Sequence, residues 1–176
     1  MEKVITLRYG EIYLKGKNRK YFENVLLKNT YDKLKDFNVR VDKIAGRYIV
    51  SNIGDNEEEI CRRLKEVFGY IALSPAYVLP NDANAILDFC KTIKLDGTFK
   101  VETKRADKTF IYNSIDFSAM VGDAVLSSNE NLKVDLHEPK HIIDIDIREN
   151  GKTYISFERI KCLGGMPVST SGKGLL

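Results

Sequence analysis

Two short basic stretches of this 176-residue chain have residue types that bind phosphate. The first runs from Arg8 to Lys20, and the second is Lys104-Arg105-Ala106-Asp107-Lys108. Each stretch follows a predicted strand and precedes a predicted helix, so its cations and loop amides gather near a helix N-terminus, where the helix dipole favours an anion. This placement predicts two phosphate-binding loops. The alternative is two loops whose lysines only make them soluble.

The segment His137-Glu138-Pro139-Lys140-His141 has the HExxH spacing of zinc hydrolases. That chemistry needs a helix that places both imidazoles on one face. Pro139 would interrupt such a helix, and the segment lies between two predicted strands. The chain also has no third histidine. We therefore interpret the segment as a connecting turn and expect no metal site.

Two glycine- and lysine-containing stretches imitate a nucleotide-binding P-loop. Gly10 to Lys17 has five residues between its glycines, where the P-loop has four, and Asn18 follows the lysine instead of Ser or Thr. Gly172-Lys173 lacks the upstream glycine, because Pro167 occupies that position. Neither stretch predicts the nest of backbone amides that surrounds a triphosphate.

The carboxylates of Asp144 and Asp146 are two residues apart on a predicted strand, so both point to the face opposite the neighbouring isoleucines. We interpret them as part of a solvated sheet face that alternates in charge with Arg148, in preference to an acid–base or metal pair. No Ser/His/Asp or Cys/His combination is present. The sequence therefore predicts no catalytic residues.

Hydrophobic periodicity places the first basic stretch in a unit of order βαββαβ. The unit begins with a strand Val4 to Tyr9 and a helix that is capped by Asn18 and carries Phe22, Val25, Leu26 and Leu34 on one face. Strands at Val39 to Ile44 and Tyr48 to Ile53 follow, then a helix that is capped by Asn56 and buries Ile60, Leu64, Val67 and Phe68, and a strand Tyr70 to Leu79. The order is that of a ferredoxin-like domain.

The second basic stretch falls in a unit of order αβαβββ. A helix carries Ile86, Leu87, Cys90 and Ile93; a strand Phe99 to Thr103 follows; a helix capped by Ser114 buries Phe117, Met120, Val121, Ala124 and Val125; and Leu132 to Leu136 is a short strand. A hairpin then joins Ile143 to Ile147 with Tyr154 to Ile160 through a two-residue Asn150-Gly151 turn. The fold class is therefore α+β.

Composition agrees with two small globular domains. The chain is 43% hydrophobic and 30% charged, which is typical of a folded protein. From Cys162 onward, Gly, Ser, Thr and Pro dominate, as in a linker. We expect a first domain at residues 1–79, a second at 80–161 and a linker at 162–176.

The distribution of charge and cysteine points to the compartment and the partner. Residues 1–50 hold 12 Lys and Arg against six Asp and Glu on a chain whose net charge is only +3, which favours an anionic partner. The three cysteines are far apart and form no CxxC, so we expect reduced, buried thiols. The N-terminus has charge where a signal peptide is apolar, and we expect a cytoplasmic protein.

Three motifs in this order resemble those of one family. The stretch Arg8 to Arg19 resembles the opening signature of ThiI-type tRNA 4-thiouridine synthetases, Lys104 to Lys108 looks like the basic motif of their THUMP domain, and Gly164 to Lys173 resembles the linker to their PP-loop domain. The resemblance implies a ferredoxin-like domain followed by THUMP. The SGGxDS motif of the PP-loop domain would begin beyond Leu176 and is absent from this chain.

The resemblance also implies a reaction and its partners. In this family a PP-loop domain uses ATP and Mg²⁺ to adenylate uridine 8 of tRNA, and persulfide sulfur from a cysteine desulfurase replaces the oxygen; some members also serve thiamine biosynthesis. The present chain would bind the tRNA acceptor stem and 3′ end, would be inactive alone, and could form a homodimer. It would hold no cofactor itself.

Ten residues are candidates for RNA binding. The first choices are Lys104, Arg105 and Lys108; the second group is Arg8, Lys15, Lys17, Asn18 and Arg19; the last two are Arg148 and Lys173. Two alternatives stay open: a ferredoxin-like dimerisation or small-ligand regulatory module, and a phosphate-handling enzyme of acylphosphatase type.

Overall fold

A computed structural model describes residues 1–170 of the chain. In chain order the elements are β1 (Lys3–Tyr9), a 3-10 segment (Glu11–Asn18), α1 (Arg19–Lys33), β2 (Arg40–Ile44), β3 (Arg47–Ser51), α2 (Glu57–Leu64), β4 (Tyr70–Pro80), α3 (Ala83–Cys90), β5 (Thr98–Arg105), α4 (Ser114–Leu126), β6 (Lys133–Val134), β7 (His141–Ile147), β8 (Lys152–Ser156) and β9 (Ile160–Lys161). Both predicted element orders, βαββαβ and αβαβββ, are confirmed.

The chain divides into two compact units. The N-terminal unit contains Lys3–Pro75 and residues 159–170, and the second unit contains Met1–Glu2 and Ala76–Glu158. Across residues 1–170, no helix is long and apolar enough to cross a membrane.

The sheet of the N-terminal unit has the order β2-β3-β1-β4. Strands β1 and β2 both pair antiparallel with β3, so that Val50 faces Ile5 on one side and Val41 on the other. Alternation along β1 sends Leu7 and Tyr9 to the face that packs against the two helices. The core is thus a helix layer on one face of a sheet, as the ferredoxin-like order requires.

One detail of the helix predictions was wrong. In α1 the fully buried residues are Glu23, Leu26 and Thr30, followed by Leu34, and Phe22 is half-buried and packs against the same core. Phe68 was expected on the buried stripe of α2 but is 46% exposed. Because α2 ends at Leu64, Phe68 lies beyond the regular helix and no longer follows its periodicity.

Residues 162–170 had been expected to be linker, and part of this segment packs on β4. The amide of Cys162 donates to the Ile71 carbonyl at 3.0 Å, and that of Gly164 donates to the Tyr70 carbonyl at 2.7 Å. The amide of Gly69 in turn donates to the Gly164 carbonyl at 2.8 Å. Together with the pairing of β9 with β4, these bonds explain why the segment belongs to the N-terminal unit.

The sheet of the second unit has the order β4-β8-β7-β5-β6. Strand β5 runs parallel to β7 and β6, while β8 is antiparallel to β7 and β4. One face of β7 carries Ile143, Ile145 and Ile147, which pack with α3 and α4 into a second core. The parallel β5–β7 pair brings the carboxyl ends of both strands to the same edge of this sheet.

The β7–β8 hairpin has a longer turn than expected. Register pairs Ile147 with Thr153, and the Arg148 amide donates to the Lys152 carbonyl at 3.0 Å. Three residues, 149–151, therefore form the loop, so the two-residue turn was wrong. Gly151 has φ +75, the left-handed conformation that ends such a three-residue loop.

The carboxylates of Asp144 and Asp146 are buried, so the expectation of a solvated face was wrong. They are 6% and 3% exposed. Strand β7 is flanked by β5 and β8, and cations reach both carboxylates: Lys104 Nζ lies 3.6 Å from Asp144, and Arg148 Nε lies 3.0 Å from Asp146. Buried carboxylates need such partners because ionised groups are costly to remove from water.

The segments singled out for metal, nucleotide or thiol chemistry have simple structures. Residues 135–140 connect β6 and β7 without helical structure, so the connecting segment predicted at His137 is confirmed. Within residues 1–170 no group of three His, Cys, Asp or Glu side chains could hold a metal ion. All three cysteines are free and buried, as expected, and burial raises the pKa of Cys90 to about 12.

Candidate nucleic-acid interface

The residues 106–113, here called the β5–α4 loop, leave β5 at the edge where β5 and β7 both end. Arg105 and Ile147 are register partners there. The amides of Ala106 and Asp107 donate to the Ile147 carbonyl at 2.8 and 3.3 Å. The start of the loop is therefore bound to the neighbouring strand.

Arg105 holds the far side of the same loop. Its Nη1 donates to the carbonyls of Phe110 and Tyr112, each at 3.2 Å. The rings of these two residues pack on Phe117 of α4, with centroid separations of 4.9 and 5.8 Å. One guanidinium nitrogen of this predicted RNA-binding residue is thus committed to loop structure.

Lys104 and Lys108 present the accessible positive charge of this edge. Lys104 is exposed over 44% of its side chain while it pairs with Asp144. Lys108 is exposed and lies one residue beyond Asp107. Because Lys104 lies in β5 and the loop that carries Lys108 is bound at both ends, the two ammonium groups project from an ordered backbone, which reduces the entropy lost when an anion binds.

Polar contacts fix Asp107 and the start of α4. The Asp107 carboxylate accepts from the amide and hydroxyl of Thr109 at 2.9 and 2.6 Å. Hydrogen bonds from Thr109 and Asn81 lower the pKa of Asp107. At the helix, the Asn113 side chain accepts from the Asp116 amide at 2.9 Å, so Asn113 is the N-cap and the predicted cap at Ser114 was one residue late.

The first basic stretch is built around a buried carboxylate. Glu23 is 3% exposed and accepts hydrogen bonds from Tyr9 Oη at 2.5 Å, from Arg19 Nε at 3.0 Å and from Lys43 Nζ. Burial raises the pKa of Glu23, but the bonds from Lys43, Tyr9 and Arg19 outweigh it and leave the pKa lowered. The carboxylate is therefore ionised at neutral pH and can order the cations around it.

Arg19 is a packed residue more than a solvent-facing cation. Its guanidinium carbon lies 4.4 Å from the centre of the Tyr13 ring, and that ring stacks on Tyr9 with centroids 5.1 Å apart. With the bond to Glu23, these contacts give Arg19 a structural role in the 3-10 segment.

Lys15, Lys17 and Asn18 are the exposed polar residues of the 3-10 segment that had been expected to bind RNA. Lys15 Nζ lies 5.4 Å from the Phe22 ring centre. Asn18 occupies the N-cap position of α1 but its side chain makes no capping hydrogen bond, so the predicted side-chain cap was wrong. Since the helix does not use it, the amide faces solvent.

The remaining candidates are placed less favourably for RNA. Arg8 is half-buried in β1, with Arg47 of β3 as its register partner. The Arg148 side chain is 12% exposed and contacts Asp146. Lys173 lies outside the residues that the structure describes. The structure thus gathers Lys104, Arg105 and Lys108 in the second unit, and Lys15, Lys17, Asn18 and Arg19 in the first.

Two residues at these sites were missed by sequence reasoning. Glu23 shares the buried helical face of Leu26 and Thr30, and its i, i+3 spacing to Leu26 was the available signal. Asn81 follows β4, and its side chain bonds to Asp107, Arg148 and Thr153. Nothing local in the sequence indicates those partners.

Comparison with known proteins identifies both units. Residues 4–74 match the family model for the ThiI ferredoxin-like domain, and residues 85–158 match the model for the THUMP domain. A "Probable tRNA sulfurtransferase" of Thermoanaerobacter sp. (strain X514) is 44% identical over 179 residues, which cover 98% of this chain and 46% of the relative. The chain therefore spans about half the length of the curated relatives it matches.

Solved structures agree with this result. A protein from Pyrococcus horikoshii matches 97% of this chain and 58% of its own chain, with 31% identity and a TM-score of 0.85. A 4-thiouridine synthetase, solved in complex with RNA and with bound ATP, matches 97% of this chain and 44% of its own, with 27% identity and a TM-score of 0.78. By its sequence and by the fold of both units, the chain belongs to the ThiI-type tRNA sulfurtransferase family and carries that family's ferredoxin-like and THUMP domains.

Proposed function

We propose that the two domains bind tRNA for a sulfurtransferase that converts uridine 8 to 4-thiouridine, with the acceptor stem and 3′ end as their contact. The observation that carries the proposal is the pair of exposed lysines at one edge of the THUMP sheet, Lys104 of β5 and Lys108 of the ordered β5–α4 loop. Backbone phosphates are the part of RNA that such cations recognise. The RNA-bound structure of a similar synthetase supports the same partner.

The 3-10 segment of the ferredoxin-like domain is the second proposed contact. Lys15, Lys17 and Asn18 are exposed, and the buried Glu23 orders the segment that carries them. Phosphate contacts position a nucleic acid without reading its sequence. The role proposed for both basic surfaces is therefore to orient tRNA.

Catalysis in this proposal belongs to sequence outside the two domains. The stretch Gly10–Lys17, which imitates a P-loop in sequence, forms part of the 3-10 segment, and the proposal assigns ATP and Mg²⁺ to the catalytic domain of the longer proteins. Four further proposals concern the longer proteins of the family. They are ATP-dependent activation, sulfur donation by a cysteine desulfurase, homodimer formation and a role in thiamine biosynthesis. The present chain should show no thiolation activity, and a protein in which it is joined to the PP-loop domain should thiolate tRNA.

The test is equilibrium binding to a tRNA acceptor minihelix, with and without its single-stranded 3′ end, across a salt series. Several phosphate contacts predict a slope of log K against log salt of about −3 to −6, and tighter binding with the overhang. Substituting Lys104 and Lys108 together by Ala should weaken binding at least tenfold. The matched control is Lys133→Ala. Lys133 is an exposed lysine of β6 and lies beside the start of β5, at the end opposite to Lys104.

Two results would contradict the proposal. If the chain does not bind the minihelix at low salt, or binds it with an affinity that does not depend on salt, the result excludes RNA as the partner and favours the regulatory-module alternative. Equal losses in the Lys133→Ala control and in the double variant would show that the chain's general charge, and not the β5–α4 loop, attracts RNA.

A further inference from the structure

The side chain of Asn81 connects the β5–α4 loop to two strands of the THUMP sheet. Its Nδ2 donates to Asp107 Oδ2 at 2.9 Å and to the Arg148 carbonyl at 2.7 Å. Its Oδ1 accepts from the Thr153 hydroxyl at 2.8 Å. The backbone amide of Asn81 also donates to the Gly151 carbonyl at 3.0 Å. One residue thus bonds to the loop, to the end of β7, to the hairpin turn and to β8.

These partners determine the orientation of the amide. The Arg148 carbonyl and the Asp107 carboxylate can only accept, so both must face the NH₂ group, and the Oδ1 atom is left to the Thr153 hydroxyl. A flipped amide would set its oxygen against two other acceptors. Asparagine is therefore needed here as a two-proton donor, and aspartate, although equal in size, cannot replace it.

The bond to Asp107 has a consequence for Lys108, the next residue. Arg105 attaches the loop to β5 beyond Lys108, at the carbonyls of Phe110 and Tyr112, and Thr109 bonds to Asp107 within the loop. Asn81 attaches it to the sheet at Asp107, and the Ala106 amide attaches it one residue earlier. Without the Asn81 bond, the part of the loop that precedes Lys108 would be bound to the sheet only through its backbone amides.

We propose that Asn81 is a positioning residue for RNA binding, which fixes the β5–α4 loop so that Lys108 keeps the place in which it contacts phosphate. The inference rests on the proposed function. Asn81 itself touches no RNA; it acts through Asp107 and the backbone that carries Lys108.

The first test is Asn81→Asp in the 176-residue chain, measured by minihelix binding. The variant removes two donors and sets a carboxylate against Asp107. We expect affinity to fall about tenfold, which is about 1.4 kcal/mol. The matched control is Asn150→Asp, which adds the same charge in the neighbouring hairpin turn, where Asn150 is exposed and bonds to Tyr154 and Lys152. It should cost clearly less.

A double-mutant cycle separates positioning from charge. If Asn81 acts by placing Lys108, then Lys108→Ala should weaken binding less in the Asn81→Asp background than in the wild type. Independent, additive losses would overturn the inference. In the wild-type background, Lys108→Ala also tests the proposed function. If Lys108→Ala weakens RNA binding but Asn81→Asp leaves the affinity unchanged, the result contradicts the positioning role of Asn81 and not the proposed function.

Asp107→Asn gives a second test, on a half-buried loop residue, should Asn81→Asp fail to fold. The substitution removes a negative charge beside Lys108, so electrostatics alone predicts tighter RNA binding. It also weakens the bonds that Asp107 accepts from Asn81 and Thr109, so positioning predicts weaker binding. Combining Asn81→Asp with Asp107→Asn restores one hydrogen bond with donor and acceptor exchanged, so the double variant should recover part of the affinity. Tighter RNA binding by the single variant Asp107→Asn would refute the positioning role.

Discussion

Tyr13 occupies the space that a side chain at Gly46 would need. A Cβ built on Gly46 would lie 1.5 Å from the Tyr13 hydroxyl oxygen, and Gly46 has φ +80 in the turn between β2 and β3. The same Tyr13 ring stacks on Tyr9 and lies under Arg19. The conformation of the 3-10 segment, which carries Lys15 and Lys17, is thus coupled to a glycine in a distant hairpin.

Gly46→Ala should destabilise the ferredoxin-like domain and displace Tyr13. A positive φ and a steric overlap act together, so we expect a loss of about 2–4 kcal/mol in the free energy of unfolding. Urea denaturation measures it. The control is Gly54→Ala in the same domain, with φ +54 but no neighbour closer than 3.9 Å, which should cost about 1 kcal/mol. Equal losses would show that backbone strain alone explains the effect.

Glu23→Gln should lower stability at neutral pH and lower it less in acid. Glu23 loses charge-assisted bonds to Arg19 and Lys43, whose side chains are 38% and 47% exposed and can be partly rehydrated. We expect a loss of about 2 kcal/mol at about pH 7. Because the pKa of Glu23 is lowered in the folded state, its contribution is present above the unfolded-state pKa and disappears as pH falls through the folded-state pKa.

Denaturation of wild type and Glu23→Gln across the acid range measures this difference. The gap between them should close as Glu23 becomes protonated. The exposed Glu11→Gln serves as control and should change little at any pH. A gap that is constant with pH would indicate a packing effect of the substitution and not the loss of a carboxylate.

Arg105→Lys should disturb the β5–α4 loop, whereas Lys104→Arg should be tolerated. Lysine keeps the charge of Arg105 but lacks the planar group whose Nη1 reaches the carbonyls of Phe110 and Tyr112 together. We expect about 1–3 kcal/mol of lost stability from Arg105→Lys. Lys104→Arg should stay within about 0.5 kcal/mol.

Hydrogen exchange of the loop amides distinguishes these two variants. Arg105→Lys should speed exchange between residues 106 and 112 and leave α1 unaffected. If exchange in the loop is unchanged while RNA affinity falls, Arg105 would act as an RNA-binding cation and its contacts to the two carbonyls would be secondary.

Within the first basic stretch, the lysines and Arg19 should separate in their effects. Changing both Lys15 and Lys17 to Ala should leave stability within about 0.5 kcal/mol, because both are exposed. It should also reduce the salt slope of minihelix binding by about 2, one unit for each phosphate contact. Arg19→Ala should instead destabilise the domain, since it removes contacts to Glu23 and Tyr13. A stable Arg19→Ala chain with the larger loss of affinity would reverse these roles.

Local periodicity was sufficient for the order of the elements and for most of the core. Alternating Ile143, Ile145 and Ile147 predicted β7, and the spacing of Ile60 and Leu64 predicted α2, because a buried face repeats every two residues in a strand and about every 3.6 in a helix. The basic stretches were also visible, since charge and a following helix are local features. These parts of the fold and of the candidate site depend on neighbours in sequence.

The roles of individual site residues depend instead on partners that are distant along the chain. Glu23 is buried because Tyr9 and Lys43 meet it from two strands, and Asp144 and Asp146 are buried because β5 and β8 flank them. Asn81 bonds to residues 26, 67 and 72 positions away. A charged or polar side chain fits inside the protein only where such partners satisfy it. Tertiary structure, and not residue type, therefore separates the buried, structural polar groups of this chain from those that stay in solvent and are proposed to bind RNA.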